Sequence, residues 1–176
     1  MRARWLALIA LLGALLTSGA ARAAFEPLSP DPFRSGKSRP AVAIGEPGKM
    51  RDYYRIDRDA SPFTLEGPGT LRMLVRADIP SGMQSPDSVW VSLEGLTGFP
   101  IQRWGVAVHA SKLTAYADGR RSRTTTAARI TLVIPLGRHE VRVGGLSDIG
   151  EKVYASFGYE RITRPPAAPA PEEETE

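Results

Sequence analysis

The sequence predicts an all-β domain, two antiparallel sheets packed face to face in a jelly-roll-like β-sandwich, and three observations lead there. Between Tyr53 and Ile162, short segments alternate apolar and polar residues with a period of two. Each segment ends at residues that favour turns, and none carries a convincing 3.6-residue period. With about eight half-buried strands, two packed sheets are the simplest closure, and a β-barrel is the alternative that periodicity leaves open.

Taken in order, strands are expected at 53–57, 62–66, 70–77, 88–94, 105–110, 112–117, 124–134, 139–143 and 153–162. The punctuation between them is Gly67-Pro68-Gly69, Pro80-Ser81-Gly82, Gly95 to Pro100, Asp118-Gly119, Pro135-Leu136-Gly137 and Gly144-Gly145. Leu71, Met73 and Val75 fall on one face and Arg72 and Arg76 on the other. Val89, Val91 and Leu93 likewise alternate with Trp90, Ser92 and Glu94. Ile130, Leu132, Ile134, Val141, Val143, Val153, Ala155, Phe157 and Tyr159 continue the inward set.

The domain is expected to span 50–164, flanked by segments of a different character. Residues 1–23 have the order of a cleavable secretory signal: Arg2 and Arg4, an apolar run from Trp5 to Leu16, then Ala21-Arg22-Ala23. A membrane anchor is the rival reading, but a span needs roughly 20 apolar residues, and this run is shorter and followed by Thr17 and Ser18. Residues 24–49 are rich in Pro, Gly and Ser and read as an extended leader, ordered only if it docks on the domain. Residues 165–176 (PPAAPAPEEETE) read as a disordered spacer with an acidic tip, because they hold too little apolar surface to offset ordering entropy.

Composition narrows the function classes. The chain has no cysteine, so no disulfide supports the fold, and stability must come from an apolar core. The formal charge is +4, but Arg2, Arg4 and Arg22 belong to the expected signal, which leaves the mature chain close to neutral. A nearly neutral exported protein makes nucleic acid a poor partner, and a weakly basic body offers anionic envelope polymers only a salt-screened attraction.

Catalytic chemistry has few candidates. His109 and His139 are the two histidines; they fall in different expected strands and read as structural or surface residues. No HExxH or CxxC spacing occurs, so neither a metal nor another cofactor is expected. Asp57 and Asp59 bracket Arg58 without the twelve-residue calcium-loop pattern, and read as a solvated turn. Ser35-Gly36-Lys37-Ser38 is similar to the end of a phosphate-binding loop, but Asp31 stands where its first glycine belongs.

Two groups remain as candidate binding residues. Trp90 and Trp104, joined by Tyr116 and Tyr54, could form an aromatic platform on an exposed sheet face, where ring faces meet the C–H groups of sugars. The alternative packs these rings under loops or against the leader. Arg120, Arg121 and Arg123 follow the hairpin signal Asp118-Gly119 and could hold an acidic polymer or phosphate group through forked hydrogen bonds. The alternative is a charged, aggregation-resistant hairpin.

The pieces Tyr53-Tyr54-Arg55-Ile56, Gly67-Pro68-Gly69-Thr70-Leu71-Arg72 and Ile134-Pro135-Leu136-Gly137-Arg138-His139-Glu140-Val141 resemble those of exported bacterial β-sandwich modules related in shape to carbohydrate-binding domains. The resemblance covers Tyr53 to Phe157 and consists of turn and strand chemistry. It implies an architecture and transfers no sugar-contacting residue.

The expectation is therefore a non-catalytic periplasmic or envelope module that binds a glycan, lipid or protein partner. A structural or assembly subunit of an envelope complex is the second reading, its leader docking on a partner's sheet edge. A hydrolase with acids converging in a cleft is the third. After signal removal no stretch is long enough to span a bilayer.

Overall fold

The structure, a computed structural model, describes residues 25–31, 40–57 and 60–162. The expected signal, the expected tail, residues 24 and 32–39 of the expected leader, residues 163–164, and Arg58 and Asp59 lie outside the described residues. Ten strands follow one another: β1 (Glu26–Leu28), β2 (Ala41–Glu46), β3 (Lys49–Arg55), β4 (Ser61–Ile79), β5 (Ser88–Glu94), β6 (Gln102–Ala107), β7 (Ala115–Tyr116), β8 (Arg123–Thr124), β9 (Ala128–Ser147) and β10 (Val153–Arg161). They form one antiparallel sheet in the order β6-β5-β9-β4-β10-β3-β2-β7, with β1 added to β10 and β8 to β4. Its first and last strands do not pair, so the sheet is not closed into a barrel and the sandwich-like expectation holds.

A single sheet makes two layers because its two longest strands bend together. Gly67-Pro68-Gly69 and Pro135-Leu136-Gly137, expected to end strands, instead lie opposite one another inside β4 and β9. Gly67 pairs with Gly137 and Gly69 with Ile134, so Pro135 and Leu136 oppose Pro68 alone: a β-bulge, which bends and twists the ladder. A side chain at Gly67 would overlap the Pro135 carbonyl, and Gly137 has a φ of 116°. Glycine at these two positions is what allows the backbones to approach and turn.

Beyond the bend, β4 continues beside β10 while β9 continues beside β5. The inward residues of the two arms meet in one core that includes Phe63, Leu71, Met73, Val75, Val89, Val91, Leu93, Val143, Val153 and Phe157. Ile56 ties the arms at their open end. Its N–H donates to Val153 O and its carbonyl accepts from Gly145 N–H, both at 2.9 Å. The adjacent Asp57 accepts two hydrogen bonds from Arg55 and one from Val153 N–H. Burial alone would raise the Asp57 carboxyl, but these donors outweigh it and hold the group below its ordinary value.

The described residues of the expected leader pair with the domain. β1 pairs with β10, and β2 forms a hairpin with β3 across Pro47-Gly48, so a boundary at Met50 would cut through a strand. Gly48 has a φ of 80°, which suits the second central position of a type II turn after proline. β2 (AVAIGE) is short, shows no polar/apolar alternation and lies in a Pro/Gly-rich stretch, so the sequence does not mark it as a strand. The expected strand at 105–110 lies earlier, as β6, and that at 112–117 shrinks to β7.

Candidate functional site

The outer face of the β5 arm carries the exposed tryptophan. Val89, Val91 and Leu93 point into the core, so Trp90 and Glu94 point out, and Trp90 is 54% exposed. Its cross-strand neighbours are Gly105 on β6 and Leu146 on β9. A Cβ at Gly105 would stand 3.0 Å from the Trp90 ring, so the indole lies across the glycine backbone. Leu146, 59% exposed, extends the apolar surface. Trp90 and Leu146, with Val91, Ser92, Arg103 and Gly145, line a shallow groove of about 410 Å³. Arg103 has no side-chain partner among the described residues, leaving its forked donors available at the rim.

The structure separates the four aromatic residues singled out in the sequence, which corrects the idea of a shared platform. Trp104 pairs with Val91, one register position from Trp90, and so takes the opposite face, half-buried against the core. Tyr116 lies on the other arm, 3% exposed, in a cluster with Ile44, Tyr53 and Tyr154. Its hydroxyl donates to Asp78 at 2.7 Å, and its ring meets Tyr154 edge-on with centroids 6.2 Å apart. Burial, then the Asp78 carboxylate, drive the Tyr116 hydroxyl far above its ordinary value, so it remains a donor. Tyr54 is buried in the main core, its hydroxyl 2.8 Å from Ser29 Oγ.

Nor do the three hairpin arginines act alike. Arg120 is hydrogen-bonded to Asp118 and stacks over the Tyr116 ring, 4.4 Å from its centre, so it covers the tyrosine cluster. Arg121 and Arg123 are exposed, without side-chain partners among the described residues. Residues 108–126 wrap this arm: β7 pairs with β2 and β8 with β4, and Arg76 donates to Thr125 O at 2.5 Å and to the Tyr53 hydroxyl at 3.1 Å.

The two histidines have different settings. His139 is 4% exposed; its Nδ1 is 3.4 Å from Thr97 N and its Nε2 3.1 Å from Pro135 O, which ties the ring to the bend. His109 is exposed. Among the described residues, no three His, Cys, Asp or Glu side chains gather as a metal site, and no helix is long and apolar enough to cross a membrane.

No family model matches the chain, and no curated protein matches it. Among solved structures, the catalytic domain of a GH87 alpha-1,3-glucanase in complex with nigerose superposes with a TM-score of 0.33 at 15% identity over 84% of this chain. The chain spans 27% of that protein's length, and so loose a likeness says nothing about function.

Proposed function

We propose that the protein is a non-catalytic module, exported to the bacterial periplasm or envelope, that binds a glycan on the outer face of the β5 arm. The supporting observation is Trp90: an indole laid across Gly105, half exposed, with apolar Leu146 beside it and, at the rim, Arg103, which has no side-chain partner among the described residues. A flat aromatic surface takes the C–H face of a sugar ring, and forked donors at its edge take the hydroxyls. The groove is open rather than enclosed, which suits a polymer passing across the sheet. Sedimentation with insoluble peptidoglycan, chitin and cellulose tests the reading. Wild-type protein should pellet with at least one of them and Trp90→Ala should stay in the supernatant. No retention on any polymer, or equal retention of both proteins, would overturn it.

An assembly subunit is the second reading, and the outer edge of β6, unpaired among the described residues, favours it. β6 ends the strand order, and Phe99 and Ile101 just before it are about half exposed. The described strands of the leader pair within this chain, so a partner would meet β6 rather than the leader. Cross-linking in cells should then recover a defined complex that Ile101→Asp abolishes.

A further inference from the structure

The other arm holds a second opening, where the far edge of β10 is shared by two strands. β3 pairs with β10 only at Tyr154 and Ala155 before diverging, and β1 takes its place from Phe157 to Tyr159. Ser156 falls between them. The divergence leaves a cleft of about 360 Å³ with Phe25, Pro27, Leu28 and Ser29 on one wall and Met50, Arg51 and Asp52 on the other. That volume admits a sugar-sized molecule.

Three features of the cleft point to an anion. Ser156 lines it at 5% exposure, and its hydroxyl has no hydrogen-bond partner among the described residues, an unusual state for a buried polar group. Arg72, cross-strand from Gly158, holds its guanidinium 4.0 Å from the centre of the Phe25 ring; a side chain at Gly158 would press on Phe25 Cβ at 3.1 Å. Arg51 lines the same cleft, and Arg129 is the diagonal neighbour of Arg72 across the β4–β9 ladder, where Arg72 opposes Thr131.

None of the three arginines has a carboxylate partner among the described residues. Desolvation, then repulsion from Arg129 and Arg51, depress the Arg72 pKa, while Glu160 opposes the shift. Asp52 on the wall and Glu160 nearby are the acids that face this group. Three guanidiniums against two carboxylates leave positive charge at the site.

We propose that this cleft binds the phosphoryl group of a small phosphate monoester, with Arg72, Arg51 and Arg129 as counter-ions and the Ser156 hydroxyl as a further donor. Guanidinium forks match phosphate oxygens, and a tetrahedral dianion can take several donors at once. The apolar wall formed by Phe25, Leu28 and Met50 would lie against the body of the ester. The site is independent of Trp90, which stands on the other arm.

Calorimetric titration of the protein at low ionic strength with glucose 6-phosphate, inorganic phosphate and glucose is the test. The phosphate ester should bind saturably and glucose should not. Tighter binding of the ester than of inorganic phosphate supports an ester as ligand, and equal affinity narrows the ligand to free phosphate. Arg72→Gln should weaken binding about tenfold, the loss expected for one charged hydrogen-bonding partner. The exposed pair Arg51→Gln/Arg129→Gln should weaken it too, without requiring any change in packing. Ser156→Ala should weaken it several-fold, and Trp90→Ala should leave it unchanged. Absence of binding by both phosphates, glucose binding as tightly as its phosphate, or full affinity in the Arg51/Arg129 double variant would overturn the proposal.

Discussion

The two arms of the bent sheet share one core but treat their outer faces differently. On the β10 arm, alternation places Tyr53, Leu74, Arg76, Asp78 and Tyr154 outward, and residues 108–126 return to cover them. On the β5 arm, the outward residues are Trp90, Ser92, Arg103 and Leu146, and nothing among the described residues covers them. An outward aromatic is thus structural on one face and available on the other. The difference lies in the chain segment above it and not in the strand that carries it.

Truncating a ring on each arm should break this contrast most visibly. Tyr116→Ala removes a buried ring and leaves Asp78 without its donor, so urea unfolding should register a loss of about 3–5 kcal/mol. Trp104→Ala, on the core side of β6, should cost about 2 kcal/mol in the same measurement, less because the ring is half-buried at an edge strand. Both variants bear on stability first, although the sequence offers them as ligand contacts.

The joint between the arms gives a pH-dependent comparison of smaller size. The Asp57 carboxyl is held below its ordinary value, so its contribution to stability is present above the unfolded pKa of about 3.9 and is lost as pH falls through the folded value. Unfolding midpoints should fall on acidification below about pH 4, and Asp57→Asn should flatten that part of the profile while lowering stability at pH 7. An unchanged acid limb in the variant would remove Asp57 from the joint. The smallest stability effect belongs to Trp90→Ala, which should stay within about 0.5 kcal/mol of wild type, as expected for an exposed position.

Period-two alternation made the core legible: Leu71, Met73 and Val75, and Val89, Val91 and Leu93, are buried as their spacing requires, and Trp90 is outward. What the sequence hides is tertiary. Gly-Pro-Gly and Pro-Leu-Gly carry the same local chemistry in a turn and in a bulge. Only their opposition across the β4–β9 ladder makes them a bend. Trp104 changes faces because β6 begins at Gln102, so its register with β5 sets its direction. Tyr116 looks available until the wrapping segment buries it. The arginine cleft has no local signal at all, since Arg51, Arg72 and Arg129 come from three strands.

The contrast between Trp90 and Trp104 can be read directly by acrylamide quenching of tryptophan emission. A Trp104→Phe variant leaves Trp90 as the reporter in the domain; its emission should be strongly quenched, and an oligosaccharide fragment of the polymer that retains the protein should shield it. Trp90→Phe leaves Trp104, whose weaker quenching should not respond to that fragment. Equal quenching of the two, or shielding of Trp104 with none of Trp90, would contradict the placement of the binding face on the outer side of the β5 arm.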